Sequence, residues 1–314
     1  MVAAGEYPGQ TELGVWEIPP ITNPEGRLRL VGGFNDDFSG RQPFGLLSTL
    51  VTQEGRGGAF LTVGRRSQLK ELVVSGFIFD AAPSNNYDVR SNSILKGSSR
   101  TYPLISFNQV RVEHLVVADN IFINGPHGAF DPAIGGVPGS VVDIENNLFL
   151  NTIKPMKVSA MSGGENVDIN IRHNSFILNW PFNPDATSSN VGALELYHSD
   201  GYRTLTIEGN LFAYNPGGAM QHDWPANRMG EIAIRDNLFH DNGSLFSTST
   251  AEEGVIVGKF GTNPTYMSLD LITIEDDLDY DVSGNVSMDP GIALAMAPLQ
   301  AVDNDRIQRE NTLL

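Results

Sequence analysis

The sequence contains no cysteine, which excludes disulfide bonds, thiolate metal sites and a cysteine nucleophile. It is also poor in positive charge: 20 Lys and Arg stand against 37 Asp and Glu, so the formal net charge is −17. Because a nucleic-acid-binding protein needs a basic surface, we expect no nucleic-acid partner. No apolar run approaches the length of a membrane span, and we expect no membrane insertion.

One short pattern recurs along the chain: alternating apolar residues, a polar residue, Asn, any residue and Phe. Five copies agree closely, and their Asn residues are separated by 27, 27, 36 and 27 positions. The Asn and Phe of these copies are Asn120 and Phe122, Asn147 and Phe149, Asn174 and Phe176, Asn210 and Phe212, and Asn237 and Phe239. Weaker copies lie at 74–79 and 282–286.

Each copy reads as a strand, a sharp turn and a second short strand, which cannot bury an apolar face alone. Stacked copies can, since strands in a parallel sheet lie about 4.8 Å apart and equivalent residues form columns. The pattern therefore predicts an all-β fold, a single-stranded right-handed parallel β-helix with Asn and Phe ladders. We expect the ladder Asn to take the left-handed turn conformation, and the outward column to alternate in sign through Glu145, Arg172, Glu208 and Arg235.

The domain boundaries follow from this repeat. The predicted β-helix domain spans 1–288, with its clearest coils at about 70–245. The segment 289–314 lacks the repeat, and we expect it to cap the open end of the solenoid. An alternating βαβ fold is disfavoured, because no gap between strands carries an amphipathic helix.

The repeat, together with the segment Leu30–Arg41, resembles the pectate-lyase-like superfamily of parallel β-helix proteins, and its bacterial secreted members in particular. The resemblance implies the fold and a role with carbohydrate outside the cell, but no particular reaction. We therefore expect a secreted or cell-surface protein. Residues 1–7 lack the basic start and apolar core of a signal peptide, so we expect that signal upstream of Met1.

Catalytic residues cannot be carried over from the superfamily. The sequence lacks the paired Asp and Gly-His-Gly arrangement of polygalacturonases and the Trp-Ile-Asp-His signature of pectate lyases. The Lys and Arg motifs of alginate and dermatan lyases with this fold are not recognisable either.

A small-residue strand in each repeat predicts where chemistry takes place. If Phe130, Met156, Leu194, Met220 and Ile256 face inward, one outward stripe contains Asp131, Lys157, Glu195 and Gln221, with Asp223 two residues further on. Side chains along this stripe and in the neighbouring loops are candidates for binding a sugar chain, by stacking or hydrogen bonding. Besides Gln221, these are Tyr197, His198, Arg203, His222, Trp224 and Trp180.

Two reactions fit this stripe, and neither requires a cofactor. A hydrolase would use Glu195 and Asp223, whose backbone separation of about 8 Å suits an inverting carboxylate pair. A lyase would use Lys157 as its base, although the neighbouring Glu195 charge disfavours this role. A Lys157–Glu195 surface salt bridge is the commoner, structural interpretation.

Other functional classes stay open. A non-catalytic surface or adhesion module would use the solenoid as a spacer, and a self-assembling spike would need an exposed apolar surface. Asp277, Asp279 and Asp281 resemble an oxygen-ligand loop for Ca²⁺, but Val282 and Met288 replace the Gly and Glu of an EF-hand. A solvated acidic loop is the commoner role for such a segment.

Overall fold

The structure is a computed structural model, and it describes residues 1–8, 16–51, 60–81, 87–88, 93–94, 104–107, 109–125, 128–130, 137–158, 167–180, 192–196, 203–224, 231–243, 255–259, 265–267 and 281–292. Only the backbone is described for 51, 87–88, 93–94, 222–224, 255–259 and 265–267. These parts of the chain form strands and turns and contain no helix. They accordingly include no helix that is both apolar and long enough to cross a bilayer.

Sheet 1 contains the longest strands, and all of its pairings are parallel. Val142 and Ile144 show its pattern: they are fully buried, whereas Asp143 between them is half-exposed. In spatial order its strands are β3 (Arg27–Val31), β6 (Gln68–Ser75), β11 (Arg111–Ala118), β13 (Ser140–Glu145), β16 (Val167–Arg172), β19 (Thr204–Glu208), β22 (Glu231–Arg235) and β26 (Asp281–Ser283).

Sheet 2 consists of nine short parallel strands. In spatial order they are β1 (Gly5–Pro8), β4 (Ser48–Val51), β7 (Phe77–Asp80), β12 (Ile121–Ile123), β14 (Leu148–Leu150), β17 (Ser175–Ile177), β20 (Leu211–Ala213), β23 (Leu238–His240) and β27 (Val286–Ser287).

Sheet 3 consists of two groups of strands. Two isolated β-bridges, Ile105 to Phe130 and Phe130 to Met156, connect the groups. The first group contains β2 (Trp16–Ile18), β5 (Leu61–Val63) and β10 (Ile105–Ser106). The second contains β15 (Met156–Val158), β18 (Leu194–Leu196), β21 (Met220–Trp224), β24 (Val255–Lys259) and β25 (Thr265–Met267), the last of which pairs antiparallel. A separate antiparallel pair is formed by β8 (Tyr87–Asp88) and β9 (Ser93–Ile94).

The chain visits the three sheets in a fixed cycle, from sheet 1 to sheet 2 to sheet 3, and we call one such pass a coil. Each strand pairs with its equivalent in the next coil, so consecutive coils stack. This all-β arrangement of parallel strands in stacked sheets confirms the coarse fold prediction and is consistent with a β-helix-like fold. The pairing extends from Gly5 to Ser287, well beyond the range in which the sequence pattern is clearest.

The Phe column is confirmed as a stack in the core. Phe79, Phe122, Phe149, Phe176, Phe212 and Phe239 are all fully buried. Consecutive ring centroids lie 4.7–5.2 Å apart, and the ring planes are within 8° of parallel. The strand spacing of about 4.8 Å sets this separation, because each ring occupies the same position in its coil.

The Asn column is also confirmed, at the turn between sheets 1 and 2. In each coil the Asn amide accepts hydrogen bonds from the backbone and side-chain N–H groups of the previous ladder Asn. Asn147 Oδ1, for example, accepts from Asn120 N at 3.0 Å and Asn120 Nδ2 at 3.1 Å. The column continues to Asn285, which accepts in the same way from Asn237.

The prediction that the ladder Asn itself is left-handed is wrong. Positive φ falls on the preceding residue, with φ of 59° at Asp119, 52° at Asn146, 54° at His173 and 64° at Gly209. That residue makes the sharp bend, so the ladder Asn can direct its amide into the turn. His173 therefore has the structural turn position in its coil.

A second polar column, which the sequence analysis missed, lies at the turn between sheets 2 and 3. Thr152 N donates to Asn179 Oδ1, Asn179 N to Asn215 Oδ1, and Asn215 N to Asn242 Oδ1, at 2.9–3.2 Å. In three coils its Asn follows the first ladder Asn by five residues, and this spacing is the signal that could have predicted it.

The outward column of alternating sign is in register, with Glu145 opposite Arg172, Arg172 opposite Glu208, and Glu208 opposite Arg235. Arg172 Nε lies 3.4 Å from Glu208 Oε2. The outer face of sheet 1 is thus a polar, ion-paired surface.

Candidate functional site

The predicted stripe lies on the outer face of sheet 3. Lys157 pairs in register with Glu195, and Glu195 with Gln221. Met156, Leu194 and Met220 occupy the inward column beside them and are buried in the core. The sequence therefore predicted the relative placement of these three stripe residues.

One coil further on, the predicted alignment is off by one residue. Met220 pairs with Val255 rather than with Ile256, and Gln221 pairs with Ile256. Three β-branched residues follow one another from Val255, so the apolar pattern cannot select which of them faces inward.

Glu195 is the most unusual residue of the stripe, since it stands on the outer face but is only 1 % exposed. Lys154 Nζ lies 2.5 Å from Glu195 Oε2 and forms an ion pair whose ammonium side chain is 18 % exposed. Neither carboxylate oxygen has a partner with hydrogen-bond geometry within the described part of the chain. The contact is thus a buried ion pair, whereas the sequence predicted a surface bridge from Lys157.

Lys154 reaches Glu195 because of the turn that precedes β15. Its backbone is left-handed, with φ of 46°, and its N–H donates to Trp180 O at 2.8 Å in the next coil. A left-handed non-Gly residue is uncommon and is maintained by its surroundings. The sequence analysis did not select Lys154, although the two lysines 154 and 157 flanking one short strand were a visible signal.

Gln221 is 5 % exposed and packs closely against the preceding coil. Gly192 N donates to Gln221 Oε1 at 3.4 Å. A Cβ at Gly192 would lie 2.5 Å from Gln221 N, so only glycine permits this close approach. The amide of Gln221 thus has a packing role in the site.

The remaining candidates of β21 are placed by backbone position only. His222 pairs with Leu196 and so occupies the inward column, while Asp223 and Trp224 continue the strand opposite Gly258 and Lys259. Position 223 shares the outer face with 221. Its backbone lies about 8 Å from that of Glu195, from the strand spacing and the rise per residue.

Three predicted residues lie away from the stripe. Trp180 is 1 % exposed, and its Nε1 donates to Asn151 Oδ1 at 3.2 Å, so its ring is not presented to a sugar. Arg203 precedes β19 of sheet 1 and forms a two-bond ion pair with Asp168, which raises the pKa of Arg203. Asp281 lies in β26 and pairs with Arg235.

Asp131, Tyr197, His198, Asp277 and Asp279 lie outside the described residues. Within the described ranges, no group of three or more His, Asp or Glu side chains could hold a metal ion.

Comparison of the chain with known family models, with curated proteins and with solved structures found no match. The chemistry of the site must therefore be argued from its own residues. These are an ion-paired buried carboxylate, two lysines, a buried amide, and a second carboxylate position on the adjacent strand.

Proposed function

We propose that this chain is a right-handed parallel β-helix of the pectate-lyase-like kind, secreted or attached to the cell surface. In this proposal it binds a polysaccharide along the outer face of sheet 3. The observation that carries the proposal is the buried Lys154–Glu195 ion pair in the middle of the stripe. Burying two charges costs several kcal/mol even after relaxation, so a purely structural face has little reason to contain such a pair.

The position of the stripe in the fold also supports binding. Its strands run directly into the segments 159–166, 197–203 and 225–230, which connect sheet 3 to sheet 1. The nine residues that lengthen one repeat from 27 to 36 lie between β17 and β18, so they come directly before the stripe strand that contains Glu195. Binding residues are often found on such connections.

Cleavage of the bound polysaccharide is the further step of the proposal. Glu195 and Asp223 would act as the carboxylate pair of an inverting hydrolase, which needs about 6.5–9.5 Å between the groups for a water molecule. Asp131 is a further carboxylate candidate on the stripe. Lys157 would be the base of an elimination, and any Ca²⁺ requirement would appear in that reaction.

The second candidate is a non-catalytic surface or adhesion module. It is favoured by the same carboxylate, because Glu195 is 1 % exposed and already paired with Lys154. In that arrangement no face of the carboxylate is open to a glycosidic oxygen.

The test is a panel of neutral and acidic polysaccharides, assayed with calcium and with a chelator for binding, for new reducing ends and for the absorbance of an unsaturated product. We expect binding that Glu195→Gln weakens at least tenfold. Turnover, where present, should fall at least a hundredfold in Glu195→Gln and Asp223→Asn. The matched control is Glu208→Gln, which removes an ion-paired carboxylate from the outer face of sheet 1.

Each outcome separates the candidates. Reducing ends without the absorbance would favour the carboxylate pair, and reducing ends with it would favour Lys157. Binding without turnover would leave the non-catalytic module. If no polysaccharide binds, or if Glu208→Gln weakens binding as much as Glu195→Gln, the proposal for sheet 3 is wrong.

A further inference from the structure

The outer face of sheet 2 differs from that of sheet 1 in being apolar. Its first outward column runs in register across six strands, from β7 to β23, with only Ser175 interrupting a line of aliphatic side chains. In the second outward column Ile123 and Leu150 extend this surface, whereas Asp80 and His240 at its two ends are polar. We call this surface the apolar flank, and it consists of Ile78, Ile121, Ile123, Leu148, Leu150, Leu211 and Leu238.

A sheet face in contact with water normally carries polar residues, as the outer face of sheet 1 does. The side chains of the apolar flank are half-buried instead of fully exposed or fully covered. A continuous apolar surface of this kind marks a place where another segment or molecule packs.

The chain itself begins to cover this face directly after its last strand. Ile292 packs against a cluster of buried residues at the edge of sheet 2, formed by Ile153, Ile177, Leu178 and Trp180. Two polar contacts guide the segment there. Asp289 Oδ1 lies 3.8 Å from His240 Nε2, and it accepts a hydrogen bond from Gly291 N at 2.8 Å.

The direction of this segment follows from the strand order. From β27 to β17 the chain passes back over three strand spacings, about 14 Å. The segment contains a turn, in which Gly291 has a φ of 65° and donates to the side chain of Asp289. Since Ile292 packs against residues of coils that precede β27, the segment turns back along the side of the stack, towards the N-terminal coils.

We propose that the residues that follow, 293–302, continue along the apolar flank and cover it. Four more strand spacings, about 19 Å, separate β17 from β4, and six or seven extended residues span that distance. The sequence alternates in the required way: Ile292, Leu294 and Met296 are large, whereas Ala293, Ala295 and Ala297 are small. In an extended segment the large side chains share one face, which would pack on the flank.

This proposal differs from the capping role expected from the sequence for 289–314, which stays a prediction. It rests on the strands and contacts of sheet 2 alone and is independent of the proposed polysaccharide site.

The first test uses the absence of cysteine, which allows unique thiols to be introduced. The double variant Thr49→Cys, Ala297→Cys places one thiol on β4 at the end of the flank and one on the segment. We expect a short bismaleimide to link the two within one chain, visible as a monomer of altered mobility and as a linked peptide by mass spectrometry. The control Thr206→Cys, Ala297→Cys, with its first thiol on the outer face of sheet 1, should remain unlinked.

Two other outcomes overturn the proposal. Linking of Ser283→Cys, Ala297→Cys in place of the flank pair would mean that the segment covers the open end. Linking of the flank pair only between chains would mean that a second copy occupies the flank.

A second measurement tests the alternation of large and small side chains in the segment 292–297. Replacing both Leu294 and Met296 by Asp should lower the Tm by several degrees and increase the fluorescence of an apolar dye, because the flank loses its cover. Replacing both Ala293 and Ala295 by Asp, which adds the same charge on the opposite face, should leave both readings nearly unchanged. Equal effects of the two double variants would contradict the proposed packing.

Discussion

At the scale of single residues, the ion pair of Asp168 and Arg203 shows how the outer face of sheet 1 is stabilised. Arg203 Nε donates to Asp168 Oδ1 at 2.6 Å, and Thr204 Oγ1 donates to the same oxygen at 2.9 Å. The hydrogen bond from Arg203 is the main cause that lowers the pKa of Asp168, and partial burial opposes it.

The lowered pKa predicts how Asp168→Asn behaves with pH. A carboxyl group with a lowered folded-state pKa stabilises the fold above its unfolded pKa of about 3.9, and this contribution is lost as the pH falls through the folded value. The variant should therefore have a lower Tm than the wild type from pH 5 to pH 8, and the difference should shrink progressively as the pH falls below about 4.

Thermal unfolding across pH, followed by circular dichroism, measures this difference. The Tm of Glu71→Gln should depend on pH in the same way as that of Asp168→Asn, because the hydrogen bond from Arg29 lowers the pKa of Glu71. The control is Asp36→Asn, an exposed carboxylate outside the ion pairs of the described residues. A Tm difference for Asp168→Asn that persists unchanged at pH 2.5 would contradict the argument.

Single residues also show where reasoning from the sequence ends. Lys157, Glu195 and Gln221 were placed correctly in one column, because strand alternation determines which face a residue occupies. The burial of Glu195 and Trp180 was not predictable, since it depends on contacts with other coils. The alternation of inward and outward residues along a strand does not show what packs on its outer face.

At the scale of elements, the two ladders make each turn depend on its neighbours. Asn174 is buried in the first ladder, where it donates to Ile144 O and accepts from both nitrogens of Asn147. Removing its amide leaves donors and acceptors in adjacent coils without partners, and each such buried group costs about 1–3 kcal/mol.

We expect Asn174→Ala to lower the free energy of unfolding by roughly 2–4 kcal/mol. The matched control is Asn170→Ala in the preceding strand β16, which removes one hydrogen bond to Asp143 on the half-buried outer face and should cost about 1 kcal/mol or less. Equilibrium denaturation in urea compares the two variants. A loss for Asn170→Ala as large as that for Asn174→Ala would mean that the ladder position is not special.

Elements were predictable where a repeat contained distinctive residues. Asn and Phe fix the phase of the coil, so the strands from β11 to β23 could be aligned from the sequence. The alignment failed at β24, where three β-branched residues in succession leave the face undetermined. The early coils from β1 to β5 lack the Asn-x-Phe pattern, so their pairing could not be aligned from the sequence.

At the scale of the whole molecule, the net charge of −17 opposes compaction. The cross-strand pairs of sheet 1 recover little of this, because exposed ion pairs contribute about 0–1 kcal/mol each. Salt screens both effects, and because acidic groups exceed basic ones by 17 we expect the repulsion among carboxylates to be the larger one.

The Tm should therefore rise by a few degrees between about 10 and 100 mM NaCl, as the Debye length shortens from about 30 to about 10 Å. The variant Asp36→Lys, Glu113→Lys lowers the negative charge at two exposed positions, and it should show a smaller rise. Differential scanning calorimetry at constant pH gives both curves. A Tm that falls with added salt would mean that the ion pairs outweigh the repulsion.

The first Asn ladder has one more consequence, which concerns its direction. From Asn120 to Asn237, each side-chain amide donates one hydrogen bond to Oδ1 of the next ladder Asn towards the C-terminus, and Asn285 is the last acceptor. The same Nδ2 also donates to a backbone carbonyl of the preceding coil. The amide-to-amide bonds all run in one direction, and in such a chain each hydrogen bond polarises the next by about 10–30 %. Each ladder amide is therefore held more strongly by its neighbours on both sides than it would be as an isolated pair.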